Sequence, residues 1–574
     1  MNSSKKSRTD ILTMLILSAF VIIVVRLFFL QIIDGKKYRT LANESQMRQF
    51  NLPAERGVIY VMDGKNPIKF VMNETVYSLF IDPQIIDDKK RPEIISEMKK
   101  IAGGNLIDNF ENLFEEKQSR YKVIAKNLNR QQAEAVKKRA FYGVGVVPES
   151  RRVYPEGNLA AQVLGFVNFE GGKYGIEEIF NQELSGKNGM LKTTTDVYGG
   201  RLGIRKEDVS VPAQNGKNLV LSIDRNVQSQ SEKILKKQME EKGIKNGSVI
   251  VMNPENGKVM AMANFPTYHP AEFSKVKDAK LFNNNTLTMP YENGSVIKSF
   301  TMAMGLNEGV ASAEARYYNV DKVQVEDRTI SNAVKGYTGS ITFQTAMNYS
   351  LNTGMVEIAN RMGGGRITRA SRDKIYDYFH NKFGLGKKTG IEIVENAGTI
   401  ISPDKVEGNA VRYSNMTFGQ GMDTTMIQAA TGFSALVNGG TLYKSSVIAG
   451  EIKDDEFIKK EAEIRSKDVI SKGSSEQIKD ILINARRSAH GADLPEYRVG
   501  GKTGTSETLI NGKYAQNQTI GSYLGFGGNS QAKFVIMVAV WGEGQNLQGH
   551  ADAQPIFTEI SNWMLHYLKI NPKG

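Results

Sequence analysis

The segment from Ile11 to Ile33 constrains the fold more than any other part of the chain, because it is the only strongly apolar run long enough to cross a lipid bilayer. At roughly 1.5 Å per residue, a helix over this run covers a hydrocarbon core of about 30 Å. No small-x-small cleavage site follows it, so we interpret it as an uncleaved anchor. The alternative is a buried core helix, but the run shows no amphipathic period.

The composition limits what the rest of the chain can be. With 574 residues the chain is too long for one ordinary core, and 40% apolar content suffices to bury two or more domains. It has no cysteine, and its five histidines form no close ligand pair, so we predict no metal and no cofactor. The net charge of +13 is mixed along the chain without a concentrated basic patch, so we predict no nucleic-acid partner. The excess of positive charge is compatible with attraction to anionic lipid headgroups or polymers. The alternative is that it only keeps the protein soluble.

Turn residues and composition divide the chain into segments. Residues 1–10 are a polar tail, residues 11–33 the anchor, residues 35–215 a mixture of short strands and charged helices, and residues 245–570 a larger domain. A turn-rich junction precedes the larger domain. The predicted elements around and within it are strands from Leu219 to Asp224, from Ser522 to Gly527 and from Phe534 to Trp541, and helices from Val227 to Lys242 and from Pro555 to Leu568.

A serine and a lysine three residues apart, Ser295 and Lys298, follow a turn signal and open an apolar run. The run predicts a buried helix that begins at Ser295 and ends at Asn307, with Lys298 one turn along the same face. Ser295 by itself could be a simple N-cap. The spacing alone is not specific, because it recurs elsewhere, at Ser96/Lys99, Ser119/Lys122, Ser371/Lys374, Ser402/Lys405 and Ser530/Lys533.

Two further motifs follow in the chain, Ser350-Leu-Asn352 and Lys502-Thr-Gly504. Taken separately, Ser350 and Asn352 fit a turn, and Lys502 fits a solvated lysine of an edge strand. Taken together with Ser295 and Lys298, they predict an enzyme that acylates a serine and passes the acyl group on.

The triplet Lys-Thr-Gly occurs twice. The first copy, at Lys388-Thr-Gly390, predicts a turn that enters a short strand from Ile391 to Ile393, and we interpret it as structural. The second copy continues into Thr505, and its alternation of hydroxyl and small residues suits an edge strand whose backbone approaches a ligand. We therefore assign the second copy to the candidate site.

The chemistry of these residue types supports the assignment. A serine hydroxyl is a poor nucleophile at neutral pH and needs an adjacent base. Lys298 can be that base if its pKa falls, which burial and a second cation such as Lys502 both favour. The N-terminus of a helix also presents free N–H groups that suit a developing oxyanion.

These motifs, in this order, resemble those of the class B penicillin-binding proteins, the monofunctional D,D-transpeptidases of peptidoglycan synthesis, and in overall likeness their division type. The resemblance covers nearly the whole chain after the first few dozen residues. The chain departs from the family pattern at Asn293, where proline is usual, and at Asn253, where aspartate is usual. Other similar segments are Arg152 to Gly157, Ala161 to Phe166, Gly175 to Glu178, Leu184 to Gly189, Val249 to Ala263 and Phe418 to Gly421.

The resemblance implies an α+β fold with three parts. A single transmembrane helix precedes an elongated pedestal of the dimerisation type over residues 35–215. The transpeptidase domain over residues 245–570 is expected to hold a five-stranded antiparallel sheet flanked by helices. Basic residues flank the anchor on both sides, so charge does not fix its orientation. The resemblance implies a single-pass protein of the cell membrane with a cytoplasmic N-terminus and an extracytoplasmic catalytic domain.

The resemblance also implies a role for each catalytic residue. Ser295 is expected to attack the penultimate D-Ala carbonyl of a stem pentapeptide, with release of the terminal D-Ala. Lys298 would take the serine proton, and Ser350 would relay a proton to the leaving amine. Asn352 would hold the substrate amide and the lysine. β-Lactams would acylate Ser295.

The second Lys-Thr-Gly triplet is expected to bind substrate. Lys502, Thr503 and Thr505 would hold the terminal carboxylate, since a cation and hydroxyls match that anion, with Gly504 between them. The backbone N–H groups of Ser295 and Thr505 would form an oxyanion hole. The family lacks a glycosyltransferase domain, so we expect a membrane polymerase of the SEDS type as partner.

Three other functions are compatible with the same motifs. A serine β-lactamase would clear its acyl adduct within seconds. A D,D-carboxypeptidase would release D-Ala without forming dimers. An acylation-incompetent scaffold or β-lactam sensor of a wall-synthesis complex would form no adduct or would need a signalling domain.

Overall fold

The computed structural model describes residues 8–38, 47–194, 209–489, 493–494, 496–510 and 513–572. Two units divide them: residues 1–56 with 185–216, and residues 57–184 with 217–574. The first unit contains the apolar N-terminal helix and a small sheet. The second contains two larger sheets and every predicted site residue.

The strands are numbered in chain order. They are β1 Met47–Leu52, β2 Ile59–Asp63, β3 Asn66–Ile81, β4 Lys122–Leu128, β5 Val144–Val153, β6 Phe166–Asn168, β7 Gly171–Lys173, β8 Gly189–Thr194, β9 Val209–Val211, β10 Asn218–Asp224, β11 Asn246–Met252, β12 Val259–Phe265, β13 Arg316–Asn319, β14 Lys322–Val325, β15 Arg328–Ser331, β16 Gly339–Thr342, β17 Leu442–Tyr443, β18 Ile448–Lys453, β19 Glu456–Lys459, β20 Ile464–Ser466, β21 Arg498–Ile510, β22 Lys513–Gly528 and β23 Ala532–Trp541.

The α-helices are numbered in the same way. They are α1 Arg8–Phe28, α2 Arg91–Ala102, α3 Arg130–Arg139, α4 Ala161–Leu164, α5 Gly175–Ile179, α6 Asn181–Ser185, α7 Arg225–Lys242, α8 Asn285–Thr288, α9 Lys298–Asn307, α10 Phe343–Asn348, α11 Asn352–Met362, α12 Arg369–Tyr376, α13 Ala410–Met416, α14 Met426–Val437, α15 Lys472–Ala489 and α16 Gln554–Tyr567.

The N-terminal helix matches the predicted anchor. It runs from Arg8 to Ile33, with its last turn in π geometry. None of its residues is buried, and all of its large apolar side chains except the half-buried Leu30 are exposed, so it is not the buried core helix that was the alternative. In the part of the chain that the structure describes, it is the one helix long and apolar enough to cross a membrane. The rest of the first unit is an antiparallel sheet in the order β1-β8-β9.

The second unit holds the predicted five-stranded antiparallel sheet, in the order β12-β11-β23-β22-β21. The middle strand, β23, is buried along nearly its whole length, as an apolar run predicts for a central strand. Strand β21 lies at the edge and pairs only with β22 among the described strands. The predicted α+β class is confirmed, and the second Lys-Thr-Gly triplet lies on the predicted edge strand.

A seven-stranded sheet joins distant parts of the sequence. Its order is β19-β18-β10-β2-β3-β4, with β5 paired to β3. Strands β2 to β5 come from the segment predicted as pedestal, whereas β18 and β19 come from the segment predicted as transpeptidase domain. The backbone of the two predicted segments is therefore hydrogen-bonded through β10, which pairs in parallel with β2 and antiparallel with β18.

Helix α7 shows why the sequence folds as predicted there. The side chain of Asp224 accepts hydrogen bonds from the backbone N–H groups of Asn226 and Val227, at 3.0 and 3.1 Å, which caps the helix. Gly243 ends the helix in a left-handed conformation with φ 63°. Its apolar face is buried, and its polar face carries the charged residues of the pattern.

Two helices form the centre of the larger core. All residues of α14 and nearly all of α9 are buried. Helix α9 contacts α11, α14 and α15, so it is surrounded by other helices. A helix that is apolar on all sides is expected at such a position. Its first residue is Lys298, a lysine that is buried together with the apolar residues of the helix.

Two local predictions need correction. The core helix does not begin at Ser295: a 3₁₀ turn over Gly294–Ile297 comes first, and α-helical geometry begins at Lys298. The short strand predicted from Ile391 to Ile393 is absent, since these residues form a loop. The side chain of Glu392 in that loop accepts hydrogen bonds from the Val447 N–H and the Ser446 hydroxyl, which hold the loop without strand pairing.

Candidate active site

The turn that carries Ser295 is built on a glycine. Gly294 has a φ of +57° and donates its N–H to the Gly419 carbonyl at 3.2 Å. A Cβ atom on Gly294 would lie 2.5 Å from the carbonyl oxygen of Thr505, so only glycine fits both the conformation and the space. The turn therefore lies directly against β21. Ser295 is partly exposed, whereas its neighbours Gly294 and Val296 are buried.

Lys298 lies behind this turn and has no exposed surface. Its Nζ donates to the hydroxyl of Ser350 at 3.1 Å and also to the Ser350 backbone carbonyl. Burial lowers the pKa of Lys298 well below its ordinary value, and the charge of Lys502 lowers it further. A buried lysine amine of this kind is neutral far more readily than a surface lysine, so it can accept a proton.

Ser350 lies between α10 and α11 in a left-handed conformation, with φ 56°. Such a conformation is uncommon for a residue other than glycine and often marks a functional position. The following residue, Leu351, is fully buried and holds the segment in the core. The structure thus brings Ser350 to Lys298, although the resemblance implied this contact for Asn352.

Asn352 is placed differently from the expectation. It begins α11, and its amide donates to the Ser331 carbonyl at 2.9 Å. In the described parts of the chain, no hydrogen bond joins Asn352 to Lys298. Thr353 fixes the same segment through its hydroxyl, which donates to Asn319 at 2.6 Å and Asn332 at 3.0 Å.

Strand β21 supplies the remaining residues. Lys502 is only 5% exposed, and its Nζ contacts the carbonyl and hydroxyl oxygens of Thr503, each at 3.3 Å. Burial lowers the pKa of Lys502 to about 8. Thr503 is partly exposed and Thr505 is exposed. The Thr505 hydroxyl donates to the Gln548 side chain at 3.3 Å and accepts from the Gly549 N–H at 3.1 Å.

Gly504 permits the close approach between β21 and the serine turn. A Cβ atom at this position would lie 2.5 Å from both the Asn293 carbonyl and the Ser522 hydroxyl. The glycine therefore sets how near the backbone of Thr505 comes to Ser295. Together with Gly294, it makes the turn and the strand fit without intervening side chains.

Asn293 stands where the family pattern has proline, and its backbone conformation is one that proline also adopts. Its φ of −75° lies within the range of proline. Its side chain is buried and accepts a hydrogen bond from the Thr424 hydroxyl. The side chain of Asn293 thus ties the turn to the Gly419–Thr424 segment.

Sequence reasoning missed Glu292 and Tyr514. The Glu292 carboxylate is 6% exposed, accepts the Gly421 N–H at 2.7 Å, and receives the phenol of Tyr514 at 3.2 and 3.3 Å. The position of Glu292, three residues before Ser295, was the available signal. Nothing in the sequence around Tyr514 indicates the contact.

The site holds no candidate metal centre. In the part of the chain that is described, no group of three or more His, Cys, Asp or Glu side chains could hold a metal ion. The residues of the candidate site are instead two buried lysines, Lys298 and Lys502, with several hydroxyl groups and Asn352. Residue types of this kind can provide a nucleophile, a base and a cation for an anionic ligand.

Comparisons with known proteins agree with this arrangement. The sequence model of the penicillin binding protein transpeptidase domain matches residues 247–562, and that of the penicillin-binding protein dimerisation domain matches residues 51–221. Stage V sporulation protein D of Bacillus subtilis is 31% identical, over 96% of this chain and 84% of its own length. Peptidoglycan D,D-transpeptidase FtsI of Escherichia coli is 24% identical, over 97% of this chain and 91% of its own length.

Solved structures show the same fold. Penicillin Binding Protein 2X from Streptococcus thermophilus superposes with a TM-score of 0.72 at 18% identity, covering 91% of this chain and 80% of that one. A peptidoglycan synthetase from Bifidobacterium adolescentis superposes with a TM-score of 0.70 at 21% identity, covering 92% of this chain and 98% of that one.

The fold, the two matched domains and the relatives define a penicillin-binding protein with a transpeptidase domain. The chain belongs to the class B family of these proteins, and it is a serine-type D-Ala-D-Ala transpeptidase whose substrate is peptidoglycan.

Proposed function

We propose that the chain cross-links stem peptides through an acyl-enzyme on Ser295. The observation that carries this proposal is the placement of Lys298, which is fully buried, bonded to Ser350, and close enough to Lys502 for that charge to lower its pKa. A lysine in this state loses its proton far more readily than a surface lysine, and its neutral form can take the serine proton.

The first half-reaction forms one bond and breaks another. The Ser295 oxygen attacks the penultimate D-Ala carbonyl carbon, and its proton passes to Lys298. The N–H groups of Ser295 and Thr505 stabilise the oxyanion, each contributing roughly 10²–10³ in rate by analogy with measured sites. The C–N bond then breaks, and the proton reaches the leaving D-Ala amine through Lys298 and Ser350.

The second half-reaction reverses these steps with another amine. The amino group of a neighbouring stem peptide attacks the acyl carbon, loses its proton to Lys298, and displaces Ser295. The result is a cross-link and a free enzyme. Asn352 would orient the peptide amide once its own amide leaves the Ser331 carbonyl.

Binding of the donor peptide would depend on strand β21. The protonated Lys502 and the hydroxyls of Thr503 and Thr505 would hold the terminal carboxylate, with Gly504 keeping the strand close to the serine turn. A β-lactam carries a carboxylate beside its reactive amide. Its ring would open on Ser295 without releasing a leaving group, so its adduct would persist.

Labelling with a fluorescent penicillin tests this proposal. Wild type is expected to form one stable adduct over hours, and Ser295→Ala none. Ser96→Ala is the matched control, because Ser96 and Lys99 share the spacing on the exposed face of a helix. A label on Ser295→Ala would overturn the choice of serine, and an adduct that clears within seconds would favour a β-lactamase.

We also propose that the Arg8–Ile33 helix anchors the chain in the cell membrane by a single pass, with its N-terminus in the cytoplasm and the catalytic domain outside. Its exposed apolar side chains and its length support a membrane span. Cysteine scanning with a membrane-impermeant thiol reagent tests the orientation, since the native chain has no cysteine. Labelling of an S3C variant in intact cells would contradict it.

The chain would act with a membrane polymerase of the SEDS type, contacted through the anchor and residues 35–215, in division in preference to elongation. The similarity to a stage V sporulation protein and to a peptidoglycan D,D-transpeptidase FtsI supports this proposal. Affinity purification of the full chain in mild detergent tests the partner. Recovery of no such polymerase, with normal growth of strains mutated in residues 35–215, would contradict it.

A further inference from the structure

Three separate chain segments meet at the carboxylate of Glu292. The first is the serine turn itself, since Glu292 lies three residues before Ser295. The second is the Gly419–Thr424 segment, which donates the Gly421 N–H at 2.7 Å. The third is the β21–β22 hairpin, from which Tyr514 donates its phenol to both carboxylate oxygens, at 3.2 and 3.3 Å.

The contact between Glu292 and Gly421 is rigid. Gly421 has a φ of +73°, and its own carbonyl accepts a hydrogen bond from Arg412 at 2.8 Å. Its peptide groups are thus held on both sides. The Glu292 carboxylate has 6% exposure, so its two hydrogen-bond partners offset part of the cost of burying it, and the loss of one partner would leave buried polar atoms unpaired.

The contact between Glu292 and Tyr514 spans the site. Tyr514 lies at the outer end of β22, and the same strand continues to Leu524, which pairs with Lys502 on β21. Fixing Tyr514 therefore fixes the outer part of the hairpin that carries Thr505. The spacing between Thr505 and Gly294 is already at the limit that glycine allows.

We propose that Glu292 and Tyr514 are positioning residues, and that their hydrogen bond latches the β21–β22 hairpin to the serine turn so that strand β21 and Ser295 keep the spacing acylation requires. This inference rests on the proposed function, because it assumes that Ser295 is the nucleophile. Neither residue touches the reacting atoms. Their effect is on geometry, and displacements of about 1 Å can cost roughly a hundredfold in rate.

The latch depends on pH because Glu292 is titratable. Burial raises the pKa of Glu292, and the charges of Asp423 and Glu507 add to the rise, while the bonds from Gly421 and Tyr514 oppose it. The charge of Arg412 acts on Tyr514, where it opposes the rise in pKa that burial causes. The carboxylate accepts both bonds when ionised, so the latch is complete above the raised pKa and weakens as the pH falls through it.

The test compares second-order acylation rates of the full-length protein in detergent, measured with a fluorescent penicillin over a range of acidic to neutral pH. Tyr514→Phe is expected to lower the neutral-pH rate roughly tenfold. Tyr378→Phe is the matched control, because it removes a phenol that donates to a carboxylate, Glu308, at 2.8 Å at the far end of α9. Melting temperatures show whether each variant is folded.

The conservative variant Glu292→Gln separates geometry from charge. Its amide oxygen can still accept the Gly421 N–H, but the side chain carries no charge, as in the protonated carboxyl, so the neutral-pH rate is expected to fall roughly tenfold, as in Tyr514→Phe. The acidic fall in rate that wild type shows is expected to disappear, because the side chain no longer ionises. A merely structural residue would not move this pH profile.

Some outcomes would overturn the latch. If Tyr514→Phe acylates as fast as wild type, the hairpin contact does not position the site. If Glu292→Gln keeps the wild-type acidic fall, Glu292 is not the group that titrates. Ser295→Ala distinguishes these failures from a failure of the proposed function. If Ser295→Ala is labelled, Ser295 is not the nucleophile and the proposed function fails. If Ser295→Ala is unlabelled and Tyr514→Phe acylates at the wild-type rate, only the latch is refuted.

Discussion

The two Lys-Thr-Gly triplets have the same sequence and opposite surroundings. Lys502 is buried beside the serine turn, on a strand at the edge of a sheet. Lys388 is exposed on a loop, and the groups after it are bound by Glu395, which accepts the N–H and hydroxyl of Thr389 at 2.9 and 3.0 Å and the N–H of Gly390 at 2.7 Å. A triplet of this kind becomes a site only where its donors stay available to a ligand.

The charge of the two lysines shows the same difference. Burial lowers the pKa of Lys502 to about 8, and its charge in turn lowers the pKa of Lys298. Lys388 is exposed, and its backbone carbonyl accepts a hydrogen bond from Arg465 at 3.1 Å. The environment therefore converts one lysine into part of an electrostatic pair and leaves the other on the surface.

Replacing each lysine gives the largest contrast. Lys502→Ala is expected to lower the rate of acylation by a carboxylate-bearing β-lactam by about a hundredfold or more, because the cation for the carboxylate is lost. Lys388→Ala is expected to leave the rate within twofold. Acylation kinetics with a fluorescent penicillin measure both. Equal effects of the two variants would break the comparison.

The glycines of the triplets give the next contrast. Gly504→Ala is expected to lower the acylation rate by tenfold or more. Its Cβ would lie only 2.5 Å from the Asn293 carbonyl oxygen, so the serine turn and the strand would have to move apart. In Gly390→Ala the Cβ meets only the Lys444 side chain at 3.3 Å, but φ is +77°. That variant is expected to lose about 1 kcal/mol of stability while acylating normally. Denaturant unfolding and acylation rates measure the two effects.

The pH dependence separates the lysines by charge. Lys502 binds a carboxylate only when protonated, so acylation is expected to fall above pH 8, roughly tenfold per unit, as its pKa of about 8 is passed. Lys502→Arg is expected to shift that fall beyond the measured range, since a guanidinium stays charged. Lys388→Arg leaves the profile unchanged. An unaltered alkaline fall in Lys502→Arg would assign it to another group.

The smallest effect is expected in the loop. Glu395→Gln replaces one acceptor oxygen by an amide that cannot accept, which leaves a buried donor unpaired and costs about 1–3 kcal/mol. Acylation of the folded protein is expected to remain at the wild-type rate. Thermal unfolding and penicillin labelling measure both. A loss of acylation without a loss of stability would give the first triplet a role in the site.

Much of the fold was predictable because the signals are local. The anchor follows from a long apolar run interrupted by the charge of Arg26, helix α7 from its amphipathic period, and β23 from a continuous apolar stretch. The segment around Ile391 was predicted as a strand because its isoleucines alternate with Glu392. Both isoleucines are indeed buried, at 6% and 5% exposure. The loop is held by the side chain of Glu392, which accepts the Val447 N–H, and not by the backbone hydrogen bonds of a sheet.

The candidate site was predictable only where its residues form motifs. The motifs name Lys298 and Ser350 as site residues, and the structure adds that the Lys298 amine donates to the Ser350 hydroxyl at 3.1 Å. The bond from Asn352 to Ser331 and the contact between Glu292 and Tyr514 join residues far apart in the chain. Such contacts depend on how segments pack together, and no local pattern of residue types encodes them.

The most direct test of the central claim is to locate the acyl group. Wild-type protein would be treated with penicillin, digested, and analysed by tandem mass spectrometry. We expect one penicilloyl adduct, on the peptide that contains Ser295 and on that residue. An adduct on Ser350 or on a serine outside the turn, or no adduct on folded protein, would contradict the account in which the turn, Lys298 and the second Lys-Thr-Gly strand form the site.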